Sequence, residues 1–473
     1  ALIALSHIES PKSIKIALKA LDSELDSALE YALSQTVHAL APYWLPELKK
    51  SGVFFDNTKH AIFALSNLGS EETSEIVRNL LKRNDNSEEV RNRLLILLAH
   101  IGNESDLMDL IGKANEIPGL LNEIVNASKK RMLSRPHKVA ISHLANYINA
   151  ENEYLSINAM KLTAQWDFVE LAGEISGLII KKETPVIVIV EGIKALTQLY
   201  PNKKNELYHK LVDHHDVKVR NAAVLALCKT DLNYGVPILV DLLLDSNEVN
   251  NVVNDLIKPL LEIDGATKKL ASFLNDQPIT RKIAEAIIKI MNEKGRDDSE
   301  LQQALARVIG KNTGRETYSK SYVKKIIEDS ILNGNAKQGR KVFMSPLTAC
   351  SVCHQIDEIG GMLGPDLTTV SSGITPEILV ESIIWPERQI KEGYAATSIT
   401  TKSGDLFHGY FVRNNKSDGF IRLKDPSTGE IRSVLAKDIV KRSDFVSLMP
   451  KGLTTLLSPE DLRNLVKYLL ECK

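Results

Sequence analysis

The chain has 473 residues, 25% of them charged and 43% hydrophobic, with a net charge of −1, an ordinary globular composition long enough for two or more domains. So small a charge gives no global field for a polyanion, and nucleic acid is not an expected partner. No apolar run approaches the roughly 20 residues needed to span a bilayer; the longest, "PVIVIVEGIKALTQL", is broken by Glu191 and Lys194, so no membrane span is expected.

Aromatic residues are scarce, at 5%, which favours helices over a large β-sandwich. From residue 1 to about 315, apolar residues recur every three to four positions, as in "VRNRLLILLAH" and "VRNAAVLALC", the spacing of helices with one buried face. Breaks are expected near Ser6–Ser10, Ala41–Tyr43, Gly69–Glu72, Gly102–Ser105, Arg135–Pro136, Asp167, Pro201–Asn202, Asp231, Asp264–Gly265 and Gly295. Successive breaks lie roughly 32 residues apart, a period that suits a repeated helix–turn–helix unit. A single pair cannot bury its own apolar stripe, whereas a stack of pairs forms a continuous core. The opening "ALIALSHIES" reads as the end of a helix and a turn, with "PKSIKIALKAL" as the next helix. The chain is therefore expected to begin within a repeat, with further residues ahead of Ala1.

The stretch "DVKVRNAAVLAL", Asp216 to Leu227, resembles the first helix of a HEAT repeat. That resemblance implies an α-solenoid over residues 1–315 that acts as a binding surface or spacer. No catalytic constellation is visible in this part. His214 and His215 are adjacent and precede Asp216; neighbours on a helix do not face the same way, so a solvated turn is expected there rather than a metal site.

There are four cysteines. Cys228 falls in an apolar helical stretch and reads as a small buried side chain; Cys472, the penultimate residue, reads as an unpaired thiol. Cys350 and Cys353 stand two residues apart in "TACSVCHQID" and are followed at once by His354. A structural zinc ion needs four ligands, and downstream the sequence offers only His408 and Cys472. A thioredoxin-type dithiol opens a helix after a strand in a βαβ unit, a pattern missing here. The third chemistry is covalent haem: both cysteines bonded to the vinyl groups and His354 as the proximal iron ligand.

The surroundings favour the haem. In "NGNAKQGRKVFMSPLTA", Asn335 can cap a helix that places Gly339 and Phe343 on one face. In "SPEDLRNLVKYLLECK", Ser458 reads as an N-cap, with Pro459 at the first helical position and acids in the first turn. Together with the motif and "IGGMLGPDLTTV", these residues resemble a class I cytochrome c. The resemblance implies that Gly339 permits a close crossing with the last helix, that Phe343 and Tyr468 seal it, and that the Pro365 carbonyl accepts from His354. It also implies a sixth ligand ahead of the last helix, where "DFVSLMPKGL" supplies Met449; Met362, Met344 and His408 are its rivals.

Between the motif and Met449, "ATSITTKSG", "LFHGYFVRNN", "FIRLKDPSTG" and "IRSVLAKDI" read as strands, with turns at Ser403–Gly404, Asn414–Asn415 and Ser427–Gly429. A small antiparallel β insertion is expected at about 394–442. The order of haem motif, "GPDLT", helix, β insertion, "SLMP" and final helix resembles the haem-binding domain of the Pirellula/Verrucomicrobium type. The expectation is a mostly α chain: a HEAT-like α-solenoid over 1–315, then a monohaem cytochrome c domain over 316–473. One covalent haem c would carry single electrons from a partner or attached sugar, alcohol or aldehyde dehydrogenase to a respiratory acceptor. Covalent attachment places that domain in the periplasm or on an outer surface of a bacterium. A haem-based redox or gas sensor, or a protein-binding scaffold built on the solenoid, is the alternative reading.

Overall fold

Many of the helices open where the sequence offers an acceptor for an orphan N–H. Side chains of Ser10, Ser87, Asn103, Asn152, Asp216, Thr280 and Ser319 each accept from a backbone N–H of the first turn. The structure, a computed structural model, describes the chain apart from residues 24, 52–53, 69, 84–86, 118, 132–138, 201–205, 246–248, 278, 295–297, 311–316, 346, 392, 413–418, 426–428, 451 and 473. It is mostly helical with a small antiparallel sheet. Contacts gather the chain into two units, Ala1–Leu199 and Tyr200–Lys473. The expected division at 315/316 lies outside the described residues.

In the first unit, helices pack on their neighbours and next-nearest neighbours. Glu153–Gln165, for example, contacts both Val139–Ile148 and Val186–Leu199. The expected breaks at Ser6–Ser10, Gly102–Ser105 and Asp167 fall between helices. The break near Gly69 and that at Arg135–Pro136 lie at or outside the edge of the described residues, as do those at Pro201–Asn202 and Gly295. The break at Ala41–Tyr43 does not exist: one helix runs from Ser27 to Ser51 through Pro42 and Pro46. Each internal proline costs about 3 kcal/mol. Leu33, Val37, Leu40, Trp44 and Leu48 form one stripe along this helix, all fully buried or nearly so, and at roughly 1.5–3 kcal/mol each their burial outweighs that cost.

In the second unit the same neighbour packing continues from Glu206–Leu211 to Ser299–Val308, with breaks at Asp231 and at Asp264–Gly265. His214 and His215 stack at 4.2 Å, and His214 Nδ1 accepts from the Asp216 N–H in the turn that precedes the helix Val217–Thr230. After Lys320–Asn333 comes the helix Ala336–Phe343, capped by Asn335, and the chain ends on Pro459–Glu471, where Ser458 and Asp461 form a capping box. These two helices cross closely. A Cβ at Gly339 would stand 1.9 Å from the Asn464 carbonyl oxygen, and Phe343 and Tyr468 meet at 5.9 Å between ring centroids. The buried Asn464 side chain accepts from the Asn335 N–H at 2.8 Å, tying the start of one helix to the middle of the other.

The sheet has one strand more than expected. A two-residue hairpin, β1 (Gln355–Ile356) and β2 (Ile359–Gly360), turns at Asp357 and Glu358, both with positive φ. Then β3 (Ala395–Thr401), β4 (Leu406–Val412), β5 (Phe420–Lys424), β6 (Ile431–Leu435) and β7 (Ile439–Ser447) pair in the order β6-β5-β4-β3-β7. The insertion therefore runs beyond 442. Irregular register between β3 and β7 breaks the period-2 alternation by which β7 would have been recognised. Gly404 turns β3 into β4 with positive φ, as does Gly429 before β6; the turn at Asn414–Asn415 lies outside the described residues.

The sheet and the neighbouring helices share more than chain connectivity. The Leu406 N–H donates to the Glu262 carbonyl and the Asp264 N–H to the Gly404 carbonyl, both at 2.9 Å. Lys229 pairs with Asp405 at 2.6 Å, and Leu456 and Leu347 pack into the apolar core built by residues 224–309. Among the described residues, no helix is long and apolar enough to cross a membrane.

Gly339→Ala forces the crossing helices apart, because the obstacle is backbone and cannot rotate away. The expected loss is at least about 2 kcal/mol in chemical unfolding. Gly373→Ala, at a position with nothing within 4 Å of a new Cβ, should leave the midpoint in place.

Candidate haem-attachment site

Cys350 and Cys353 lie three apart on a single helical turn, Cys350–Cys353, and so share a face. The turn starts after Ala349, which takes the left-handed conformation at φ 50°, a backbone state that non-glycine residues adopt at a cost. Strained residues thus flank the motif on both sides, at Ala349 and in the Asp357–Glu358 turn. Both thiols are free. Burial pushes both up, Cys353 to about 11 with a further push from Cys350. A redox dithiol works through a cysteine whose pKa is lowered, whereas burial moves both of these thiols the other way.

His354 leaves the turn in extended conformation. Its Nδ1 lies 2.8 Å from the Pro365 carbonyl oxygen. A carbonyl can only accept, so Nδ1 carries the proton and Nε2 keeps its lone pair. Burial holds the imidazole below its usual pKa, and the bond to Pro365 offsets this only in part; the ring is neutral at pH 7. A neutral imidazole with Nδ1–H fixed and Nε2 open is the form a metal ligand requires.

The loop after β2 is laid along the motif by three backbone bonds: Gly361 N–H to Ser351, Gly364 N–H to Cys353 and Leu367 N–H to Gln355, at 2.9, 2.7 and 2.9 Å. Gly364 faces the imidazole so closely that a Cβ there would come within 2.5 Å of His354 Cε1. From the other side, the Tyr410 hydroxyl on β4 donates to the Leu363 carbonyl at 2.7 Å. Neither Gly364 nor Tyr410 was anticipated. The glycine density of "IGGMLGP" is a legible sign of close backbone approach, whereas nothing local marks Tyr410.

The structure sets the sixth-ligand candidates at different places. Met449 is half-buried, two residues beyond β7, with its N–H on Ser447 Oγ. The register puts Tyr410, Ala396 and Val446 in one row across three strands, so β7 leaves the sheet roughly 10 Å from Tyr410, at the end that meets the loop. His408 stands one pleat further along β4, opposite Ser398. Met362 is 85% exposed on the loop itself. Met344 lies by the Phe343–Tyr468 crossing, in a crevice it shares with Arg340 and Asp357. Among the described residues no three His, Cys, Asp or Glu side chains converge on a metal position. Two cysteines on one helical face and an imidazole held by the Pro365 carbonyl are the donor set that a covalently attached haem would require. Elsewhere, Cys228 is fully buried with its thiol pushed to about 12, and Cys472 is a free, buried thiol directed at the Tyr468 carbonyl.

Gly364→Ala is expected to push the imidazole off Pro365. Nitrogen-15 NMR of the His354 ring would record this as loss of the fixed Nδ1–H tautomer.

No family model matches the chain, and no curated protein matches it. Among solved structures the chain is similar to an engineered protein whose crystal structure came from the Northeast Structural Genomics Consortium. The identity is 16% and the TM-score 0.30, over 73% of this chain and 94% of that one; so loose a superposition carries no argument about fold or function.

Proposed function

We propose that the chain is a c-type cytochrome electron-transfer module, in which HEAT-like helical repeats form a solenoid scaffold for a C-terminal monohaem domain. The single observation that carries this reading is the 2.8 Å bond from His354 Nδ1 to the Pro365 carbonyl, beside two cysteines on one helical face. It leaves the Nε2 lone pair in the form that a metal ligand takes.

Cys350 and Cys353 would hold a haem c through thioether bonds, His354 through Nε2 and Met449 through its thioether sulfur. When bound, the haem would supply one-electron Fe(III)/Fe(II) exchange with no bond made or broken. The chain's own part is to orient and to insulate. Pro365 fixes the imidazole's tautomer and raises its basicity. Gly364 lets backbone replace a side chain against the ring. The Gly339 crossing, sealed by Phe343 and Tyr468, holds the helix just before the motif against the last helix of the domain. Met449 is favoured by the route of β7, which delivers it to the sheet end that touches the loop. A redox partner protein follows from this chemistry, with a dehydrogenase as donor and a respiratory carrier as acceptor, and an extracytoplasmic location follows from covalent attachment. Next-nearest-neighbour packing of the helices supports the repeat reading, since a solenoid's units contact only those beside them.

Protein matured in a cell that attaches haem should show a Soret band and the mass of one covalent haem. Cys350→Ala/Cys353→Ala should lack both, and a colourless wild type would sink the proposal. Met449→Ala should turn a low-spin six-coordinate spectrum into one that binds carbon monoxide without denaturant, whereas Met362→Ala, Met344→Ala and His408→Ala should not. Carbon monoxide binding by the wild type would move the reading to a gas sensor.

A further inference from the structure

We propose that Tyr410 is a positioning residue for the iron-facing imidazole: by donating to the Leu363 carbonyl, the inserted sheet holds the Gly361–Pro365 loop, and with it the Pro365 carbonyl, against His354. This rests on the haem reading above and adds to it a role for the β insertion.

The bond is short, 2.7 Å, and its acceptor lies two residues before Pro365. The phenol is a lasting donor, because burial disfavours its ionised form and pushes it up to about 12. The other backbone holds on the loop, through Gly361 and Gly364, come from Ser351 and Cys353 of the motif itself. They fix the loop to the segment it serves and not to anything outside. Tyr410 supplies the outside reference. Its strand is anchored at the opposite end, where Leu406 N–H donates to Glu262 and Lys229 pairs with Asp405. Four residues of β4, roughly 14 Å, thus connect the Glu262–Asp264 turn between two helices to the loop that orients the histidine. A tyrosine is required by this geometry because phenylalanine fills the same volume without the donor.

The consequence lies in the ligand field. The carbonyl bond to Nδ1–H makes the imidazole a stronger donor to a metal, which favours Fe(III). If Tyr410 lets go, that bond loosens and the reduction potential rises.

The test is Tyr410→Phe in the matured full-length chain, read by amide hydrogen exchange and by redox titration. Expected is about tenfold faster exchange at Gly361 and Gly364, unchanged exchange in the Gly339 helix, and a higher potential. Unchanged loop exchange and potential would overturn the proposal. Faster exchange spread evenly over both regions would overturn it too, since Tyr410 would then be a general structural residue. If the variant does not fold, 3,5-difluorotyrosine placed at 410, a stronger donor of the same shape, should slow loop exchange and lower the potential; no change would count against the idea. A colourless wild type would defeat the haem reading by itself, and the exchange measurement would still decide whether Tyr410 holds the Pro365 carbonyl.

Discussion

The site depends on one bond, the proton held between His354 Nδ1 and the Pro365 carbonyl. Such a bond is worth only about 1 kcal/mol net, far too little to hold a loop in place. Its geometry is secured by bonds that do not involve the side chain at all: three backbone contacts from the Gly361–Leu367 segment to residues 351–355. Those contacts require the two chains to lie almost in touch, and Gly364 permits it. The histidine's tautomer is therefore set by backbone packing, and the imidazole inherits its role from the loop.

A second close approach sets where the motif sits. Gly339 lies against the Asn464 carbonyl, and the side chain of the same asparagine accepts from Asn335. The crossing thus joins the helix just before the motif to the last helix of the chain. The apolar cluster around it takes in Val323, Ile327, Phe343, Ile356, Leu379, Val380 and Val466, with Cys350 packed at its margin. The motif is attached to a core built from segments far apart in sequence, and that core resists displacement of a short helical turn that could not stand alone.

What could be read from the residues was local. The caps at Asn335 and Ser458, the turn at Gly404 and the spacing of Cys350, Cys353 and His354 each follow from chemistry within a few positions, whereas the small residue at 339 was expected only from the resemblance to cytochrome c. What could not be read was non-local or compensated. The proline-containing helix Ser27–Ser51 persists because a buried stripe outweighs two propensity penalties, a balance that no local rule evaluates. β7 was hidden by irregular register. The Tyr410–Leu363 bond joins residues 47 apart, and Lys229–Asp405 joins residues 176 apart; neither leaves a mark in its own neighbourhood.

Those long contacts bear on how the second unit functions. The segment from Lys320 onward is more than an appendage of the helices before it. Leu347 and Leu456 enter their apolar core, Asn292 donates to the Leu347 carbonyl, and the β3–β4 hairpin exchanges two backbone bonds with the Glu262–Asp264 turn. Lys229–Asp405 contributes modestly, being partly exposed; the apolar anchors and the paired backbone carry more, because neither is screened by salt. Under the proposed electron-carrier reading, a site that did not rearrange between oxidation states would keep the reorganisation cost small. Within the second unit, the helices from Glu206 to Val308 thus hold the β3–β4 hairpin and the segment around Leu347 and Leu456 in place.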